Sequence, residues 1–310
     1  MILILSPTAE KTTNDVMDWL IFGVCFTYRI TENSDCFFVL ENEKISIIDV
    51  PGININSIWT RKGHVNIKLD VAIRDIPILD TYLQKEFKIF SDFVIKKLEQ
   101  KPHIGNYFEG VPNKILHLEY AKKVGLAVPK TLITSEKSIL VKFKQEHRSI
   151  ITKSIKDSFS GTFDGVYYYN HTEKVSEEAV EQLQEKFFPT LFQEEIPKIY
   201  ELRVVFVHNA IWACAIMSQN DKKTALDWRN YNEENPNRII PYQLPSDIEH
   251  KILAFAKMAS LNTGAIDMIV SKDRQYVFLE CNPNGQISMV SQKCNYPIEK
   301  FISDFLSNPI

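Results

Sequence analysis

Residues 265–286 read A-I-D-M-I-V-S-K-D-R-Q-Y-V-F-L-E-C-N-P-N-G-Q. Asp267 falls in one apolar, β-prone run, Glu280 and Asn282 fall in the next, and Ser271–Gln275 separates them. The pattern predicts a hairpin in which Glu280 and Asn282, two apart, share a face. The connecting loop brings Asp267 roughly opposite Glu280, where opposed Cβ atoms are about 4.5–5.5 Å apart. Two carboxylates and an amide oxygen on one patch suit a hard cation such as Mg²⁺, which takes further ligands from substrate phosphates. The plainer alternative is an exposed Glu280 and a lone polar Asp267. Apolar neighbours frame both carboxylates, and a buried carboxylate without a partner is costly.

Cations come next. In S-I-I-T-K-S-I, Lys153 has the strand parity of Ile151 and Ile155, so it points to their apolar side. A Gly- and Ser-containing loop is predicted at Asp157–Gly165, and backbone N–H groups of such a loop can cradle phosphate. Lys114 precedes a helix, where a lysine sits badly with the dipole; a phosphate partner or a plain surface position would each account for it. Arg203 in E-L-R-V-V-F-V shares a face with Val205 and Val207. It suits bidentate contact with phosphate or carboxylate, or a strand-end salt bridge with Glu201 or Glu195. Asp227-Trp228-Arg229 lies in a polar loop, and with W-T-R-K at 59–62 it forms a polar-aromatic set suited to binding a peptide.

Other chemistries are disfavoured. The seven histidines form no H-x-x-x-H or H-E-x-x-H pair, and no G-x-S-x-G elbow occurs. The five cysteines are odd in number and lack C-x-x-C spacing, which argues against a disulfide framework or zinc site and suggests a reducing cytoplasm. With 36 Lys+Arg against 39 Asp+Glu the net charge is −3, which argues against nucleic acid as partner. The apolar stretch Trp19–Tyr28 is too short for a membrane span, which needs about 20 residues.

The elements that must position these residues fall into three α/β pieces along the 310 residues. The first covers 1–105. It holds strands at 2–6 and Ser57–Arg61, a hairpin of Cys36–Leu40 and Lys44–Ile48, and helices before Phe22 and over Ile76–Leu98. The second covers 106–196. It holds helices at Lys114–Val124, Glu136–Gln145 and Ser176–Phe187, with strands at Thr131–Ile133, Ser149–Ile155, Val166–Tyr169 and Thr190–Gln193. The third covers 197–310. It holds strands Glu201–Val207 and Ala210–Met217 around the turn His208–Asn209, where Asn tolerates the left-handed region. A polar loop over Ser218–Pro245, a helix over Asp247–Ser260, the acidic hairpin and a last helix after Pro297 complete it.

Taken in order, these residues resemble the ATP-grasp superfamily from about Asn113 to Ile302. The matching parts are N-K at 113–114, G-L-A-V-P-K-T at 125–131, Lys153 with its loop, Q-E-E-I at 193–196, E-L-R at 201–203, Asp267, and E-C-N-P-N-G-Q at 280–286. Within it the chain is most similar to the graspetide maturases of the microviridin-ligase and grasp-with-spasm type. The pointers are I-W-T-R-K at 58–62, K-I-Y-E-L-R-V at 198–204, D-W-R at 227–229 and P-Y-Q-L-P at 241–245.

The resemblance implies ATP held between the central and C-terminal subdomains. Lys114 and Lys153 would contact its phosphates, and Gln193, Glu194 and Ile196 would read the adenine edge. Glu201 would accept from the ribose and Arg203 would neutralise the γ-phosphate, while Asp267, Glu280 and Asn282 would hold Mg²⁺. It also implies a ribosomal precursor peptide as partner, with Arg229 handling it, and leaves a homodimer open. The implied reaction joins Asp or Glu side chains to Ser/Thr or Lys through acyl phosphates. Two competing readings are an amino-acid (glutamate) ligase acting on a protein and a non-catalytic nucleotide-binding protein that presents a peptide.

Overall fold

Ile2–Leu5 (β1) is buried along its whole length because each of its faces enters a different core. Ile2 and Ile4 join Val16 and Leu20 of α1 (Lys11–Phe22). Leu3 and Leu5 join Val94, Ile95 and Leu98 of α2 (Pro77–Leu98). A continuous apolar run is what a strand covered on both faces requires. The computed structural model describes every residue except 35–37, 43, 51, 67–74, 157–159, 170 and 309–310.

With β2 (Thr27–Ile30), β5 (Ser57–Thr60) and β6 (His103–Ile104), β1 forms a parallel sheet of order β2-β1-β5-β6. A separate hairpin pairs β3 (Phe38–Glu41) with β4 (Lys44–Ile47). The expected Cys36, Phe37 and Glu43 of that hairpin lie outside the described residues.

The middle of the chain gives α3 (Lys114–Lys123), β7 (Thr131–Glu136), α4 (Lys137–Glu146), β8 (Ile150–Lys153), β9 (Ser160–Phe163), β10 (Val166–Tyr169), β11 (Glu173–Lys174), α5 (Glu177–Gln182) and β12 (Lys186–Glu194). β11, β8, β12 and β7 make an antiparallel sheet in that order. The last part gives β13 (Lys198–Val207), β14 (Ala210–Ile216), β15 (Ile239–Tyr242), α6 (Ser246–Met258), β16 (Thr263–Ser271), β17 (Tyr276–Asn282), α7 (Ser288–Cys294) and α8 (Ile298–Ser307). Its five strands are antiparallel in the order β15-β14-β13-β16-β17.

β13 is the central strand, buried from Glu201 to Val207. Leu202, Val204 and Phe206 pack toward α6 and α3. Val205 and Val207 share a cluster with Ile298, Ile302 and Leu306 of α8 and with Ile2, Ile4 and Trp59 of the parallel sheet. The first and last parts of the chain therefore share one core.

Several expectations need correction. The segment read as a loop over Asp157–Gly165 contains β9, which pairs with β10 across Asp164–Gly165; Asp157, Ser158 and Phe159 are outside the described residues. Asp164 and Gly165 have φ of 49° and 74°, the left-handed pair that a two-residue hairpin turn requires. The helix expected over Ser176–Phe187 stops at Gln182. β12 takes the chain from Lys186, ahead of Pro189, and the residue before a proline disfavours helix. At the β13–β14 turn the left-handed residue is His208 (φ 51°), not Asn209. His208 is held there by stacking on Phe305 at 4.3 Å and by a 3.0 Å contact of Nε2 with the His103 carbonyl. The polar stretch Ser218–Pro245 hides β15 and a 3₁₀ turn, and α7 was not expected. No helix among the described residues is long and apolar enough to cross a membrane.

Candidate active site

Asn113 caps α3 by accepting from the Leu116 N–H at 3.1 Å, which sets Lys114 at the first helical position. From there Lys114 Nζ reaches Glu280 Oε2 at 3.0 Å, with only 15 % of its side chain exposed. Lys114 is thus no free surface lysine, and a carboxylate meets the charge that the helix dipole disfavours there.

Asp267 and Glu280 are register partners on β16 and β17. Immediately beyond them the pairing slips, so that Met268 faces Phe278. This bulge turns both Leu279 and Glu280 toward the same cleft, which strict alternation forbids. Arg229 Nη1 donates to Glu280 Oε1 at 3.1 Å. Burial alone would raise the Glu280 pKa, but Lys153, Lys114 and Arg229 outweigh it and hold the carboxyl low.

Of the two readings of Arg203, the strand-end salt bridge with Glu201 or Glu195 is not formed, and the contact with a carboxylate is. Arg203 is the register partner of Asp267 across β13 and β16, and its Nη1 donates to Asp267 Oδ1 at 2.8 Å. Burial pushes the Asp267 carboxyl up, against the pull of Arg203. A Cβ on Gly285 would lie 2.7 Å from Arg203 Nη2 and 2.5 Å from Ala265 Cβ, so only glycine lets this loop close over the guanidinium. Asn282 is exposed, and its Oδ1 accepts from the Asn284 N–H at 2.9 Å.

Lys153 ends β8, opposite Leu191 of β12, and lines the cleft beside Ile151 as parity predicts. Burial lowers its pKa, with Glu280 opposing that shift. Gln193 is 1 % exposed. Its Nε2 donates to Thr131 Oγ1 at 2.9 Å, while its buried Oε1 has no hydrogen-bond partner. Glu194 Oε1 accepts from the Lys130 N–H at 2.7 Å. Glu201 accepts from Lys198 Nζ at 2.9 Å, and burial raises its pKa.

Lys153, Gln193, Glu194, Ile196, Glu201, Arg229, Asp267 and Glu280 all line one open cleft. Ile151, Ile269 and Leu279 supply apolar walls. Lys114 and Arg203 stand behind it, each on a lining carboxylate. Asn282 does not line it.

Two residues were missed by the sequence reading. Lys198 also donates to the Leu226 carbonyl at 2.8 Å, tying the 226–229 loop to the cleft. Its parity is opposite to that of Glu201, but a register slip between Lys198 and Tyr200 reverses it. Thr172 is buried against Asp227 with no sequence signal at all. In the other direction, Trp59 is 1 % and Arg61 3 % exposed, which removes both from any peptide-facing surface. Arg61 pairs with Glu10 at 3.0 Å and donates to the Gly285 carbonyl at 3.1 Å, a scaffold role.

The donor set is compatible with Mg²⁺. Among the described residues no group of three or more His, Cys, Asp or Glu side chains is placed to hold a metal. Two opposed carboxylates remain, and Mg²⁺ commonly takes one or two carboxylates and fills its shell with phosphate and water. Glu280 Oε2 is buried, with Lys114 Nζ at 3.0 Å. The unpaired Gln193 acceptor likewise suits a ligand N–H donor.

No family model and no curated protein matches the chain. Solved structures do. A Chryseobacterium gregarium RiPP-associated ATP-grasp ligase in complex with ADP and a leader and core peptide is 24 % identical, with a TM-score of 0.82 over 98 % of this chain and 96 % of that one. The macrocyclase MdnC from Microcystis aeruginosa, bound with precursor peptide MdnA, is 26 % identical with a TM-score of 0.78 over 100 % of both chains. The ATP-grasp ligase PsnB, complexed with minimal precursor, Mg and ADP, is 17 % identical with a TM-score of 0.76 over 98 % of this chain and 96 % of that one. The chain has the ATP-grasp fold and resembles the graspetide maturases.

Proposed function

We propose that this chain is an ATP-dependent, Mg²⁺-requiring ligase that matures a ribosomally made precursor peptide in a reducing cytoplasm, joining Asp or Glu side chains to Ser/Thr or Lys side chains. The observation that carries the reading is the convergence on Glu280. One oxygen meets Lys114 and the other meets Arg229, at the edge of a cleft with aliphatic walls. The full-length likeness to a macrocyclase bound with its precursor peptide supports the choice of substrate.

In this reading the chain divides at 105 and 196, and nucleotide lies between the second and third parts. Gln193 Oε1 accepts from the adenine amine, backbone groups at Glu194–Ile196 read the same edge, and Glu201 accepts from the ribose. Lys114, Lys153 and Arg203 neutralise phosphate charge. Asp267 and Glu280 would hold Mg²⁺, and Asn282 is the third residue proposed for that set. Mg²⁺ supplies charge neutralisation at the phosphates. ATP supplies the γ-phosphoryl group that turns a poor electrophile, a carboxylate, into an acyl phosphate, a step that rests on positioning and electrostatics. A hydroxyl or amine of the same peptide then attacks the acyl carbon and phosphate leaves. Holding both groups in one bound peptide raises their effective concentration, so a weak hydroxyl competes with water.

Mass spectrometry of a co-expressed precursor tests this. Each ring removes one water, about 18 Da, for one ATP consumed. An ester reopens in mild base and an amide persists. Glu280→Gln should lower ADP formation by roughly 10²–10³-fold while circular dichroism stays unchanged. A peptide that gains residues points to an amino-acid ligase, and one that stays unchanged overturns the reading.

A further inference from the structure

Asp227 and Arg229 form a self-contained unit. Arg229 gives its backbone N–H to Asp227 Oδ1 at 3.1 Å, Nε to Oδ1 at 2.9 Å and Nη2 to Oδ2 at 2.7 Å. Because the two residues are only two apart, these bonds fix the guanidinium relative to the carboxylate. They do not fix the pair relative to the cleft. Among the described residues, one hydrogen bond to this carboxylate comes from elsewhere: Thr172 Oγ1 donates to Oδ2 at 2.8 Å across a separation of 55 residues.

The place of Thr172 gives this contact a meaning. It lies in the short link between β10 and β11. Glu173, its successor, pairs with Thr152 of β8. One antiparallel step on, Thr172 stands beside Lys153, and both line the cleft. One side of Thr172 is therefore anchored on the strand that carries the buried lysine and on the chain leaving the β9–β10 hairpin. Its hydroxyl reaches the carboxylate that orients Arg229, and Arg229 Nη1 reaches Glu280. The carboxylate has donors enough from Arg229 alone, so its hydrogen-bonding needs do not require the threonine.

We propose that Thr172 is a positioning residue that sets Arg229 through Asp227, coupling the β8–β11 edge beside Lys153 to the peptide-side arginine. The proposal rests on the reading of Arg229 as a group that handles the peptide. The electrostatics agree with it. Burial would raise the Asp227 pKa, but Arg229 and Thr172 bring it down to about 2, so the carboxylate stays charged and able to hold both partners.

Thr172→Val keeps shape and removes the hydroxyl, and Thr172→Ser restores it. In the free protein Nε–H stays on Asp227 whatever residue stands at 172, so the Arg229 Nη1 protons that face Glu280 are the ones to follow by NMR: they should exchange with solvent roughly five- to tenfold faster in the valine variant and at the native rate in the serine variant. With a precursor peptide, the valine variant should raise the peptide KM by a similar factor, about five- to tenfold, while kcat and ATP affinity stay within about twofold. Unchanged Nη1 exchange overturns the proposal. So does a serine variant as impaired as the valine one, an unchanged peptide KM, or an ATP affinity that falls with it. If wild-type protein matures no peptide, the functional reading fails separately, and the exchange measurement still decides whether Thr172 holds Arg229.

Discussion

Arg203 and Asp267 face each other directly across β13 and β16, each 8 % exposed, with 2.8 Å between Nη1 and Oδ1. An ion pair this far from water repays its desolvation only while both partners are present. Asp267→Ala should therefore lower stability by about 3–5 kcal/mol, because it strands a buried guanidinium. Replacing both, as Arg203→Met with Asp267→Leu, should recover most of that loss. ADP formation should be absent in either variant. Urea unfolding and an ADP assay check the two halves separately, and turnover by the double variant would remove both residues from the chemistry.

Arg229 differs in kind, with 45 % of its side chain exposed. Arg229→Ala should slow cross-linking at sub-saturating peptide by roughly 10²-fold, the range for loss of a charged contact to a bound partner, and change ATP affinity by less than about threefold. Calorimetry with nucleotide beside product analysis separates the two effects. A parallel loss of both would assign Arg229 to the nucleotide instead, through Glu280.

Acid sensitivity has a predicted sign. Burial lowers the His117 pKa below its ordinary 6.5, against a hydrogen bond with the Cys281 backbone, and burial also lowers that of His208. Just below pH 6.5 the unfolded chain then binds more protons than the folded one, so stability falls as pH drops through the ordinary histidine value toward the depressed ones. The Tm should decrease from about pH 7.5 to about pH 5.5. His117→Leu should shallow that slope, because the imidazole, 5.4 Å from Phe255 with its Nδ1 unpaired, loses little when replaced by an aliphatic chain. A slope unchanged by the substitution would trace the effect to other groups.

The site was legible where strand alternation holds. Lys153 and Arg203 carry charge at apolar parity, and both stand where that parity directs them. The turn at Ser271–Gln275 brings Asp267 near the acidic end of the second strand, but its register alone would oppose Asp267 to Leu279, and the bulge after Asp267 is what sets Glu280 opposite it. Legibility ends at the bulges. Lys198 reaches Glu201, and Leu279 lies beside Glu280 in the cleft, through register slips that no period of two can announce. It ends also at contacts between distant segments. Thr172 meets Asp227, and the apparent peptide-binding Trp59 and Arg61 prove buried, because tertiary packing decides both. The β9–β10 hairpin is a different case, since its Asp-Gly turn is the sequence signal for a two-residue hairpin and lies inside a stretch whose Gly and Ser content also suits a loop.

The core that unites the two ends of the chain constrains the order of events on the ribosome. Ile2 and Ile4 emerge about 300 residues, and Trp59 about 240 residues, before Ile302, which completes their cluster. At about 5–20 residues per second, that leaves the nascent chain with an uncovered apolar face for roughly 10–60 s. The first hundred residues cannot finish folding as a unit during that interval. A trigger-factor-like holdase that shields this face is expected to raise the yield of native protein, and a strain lacking one to divert the newborn chain toward aggregates.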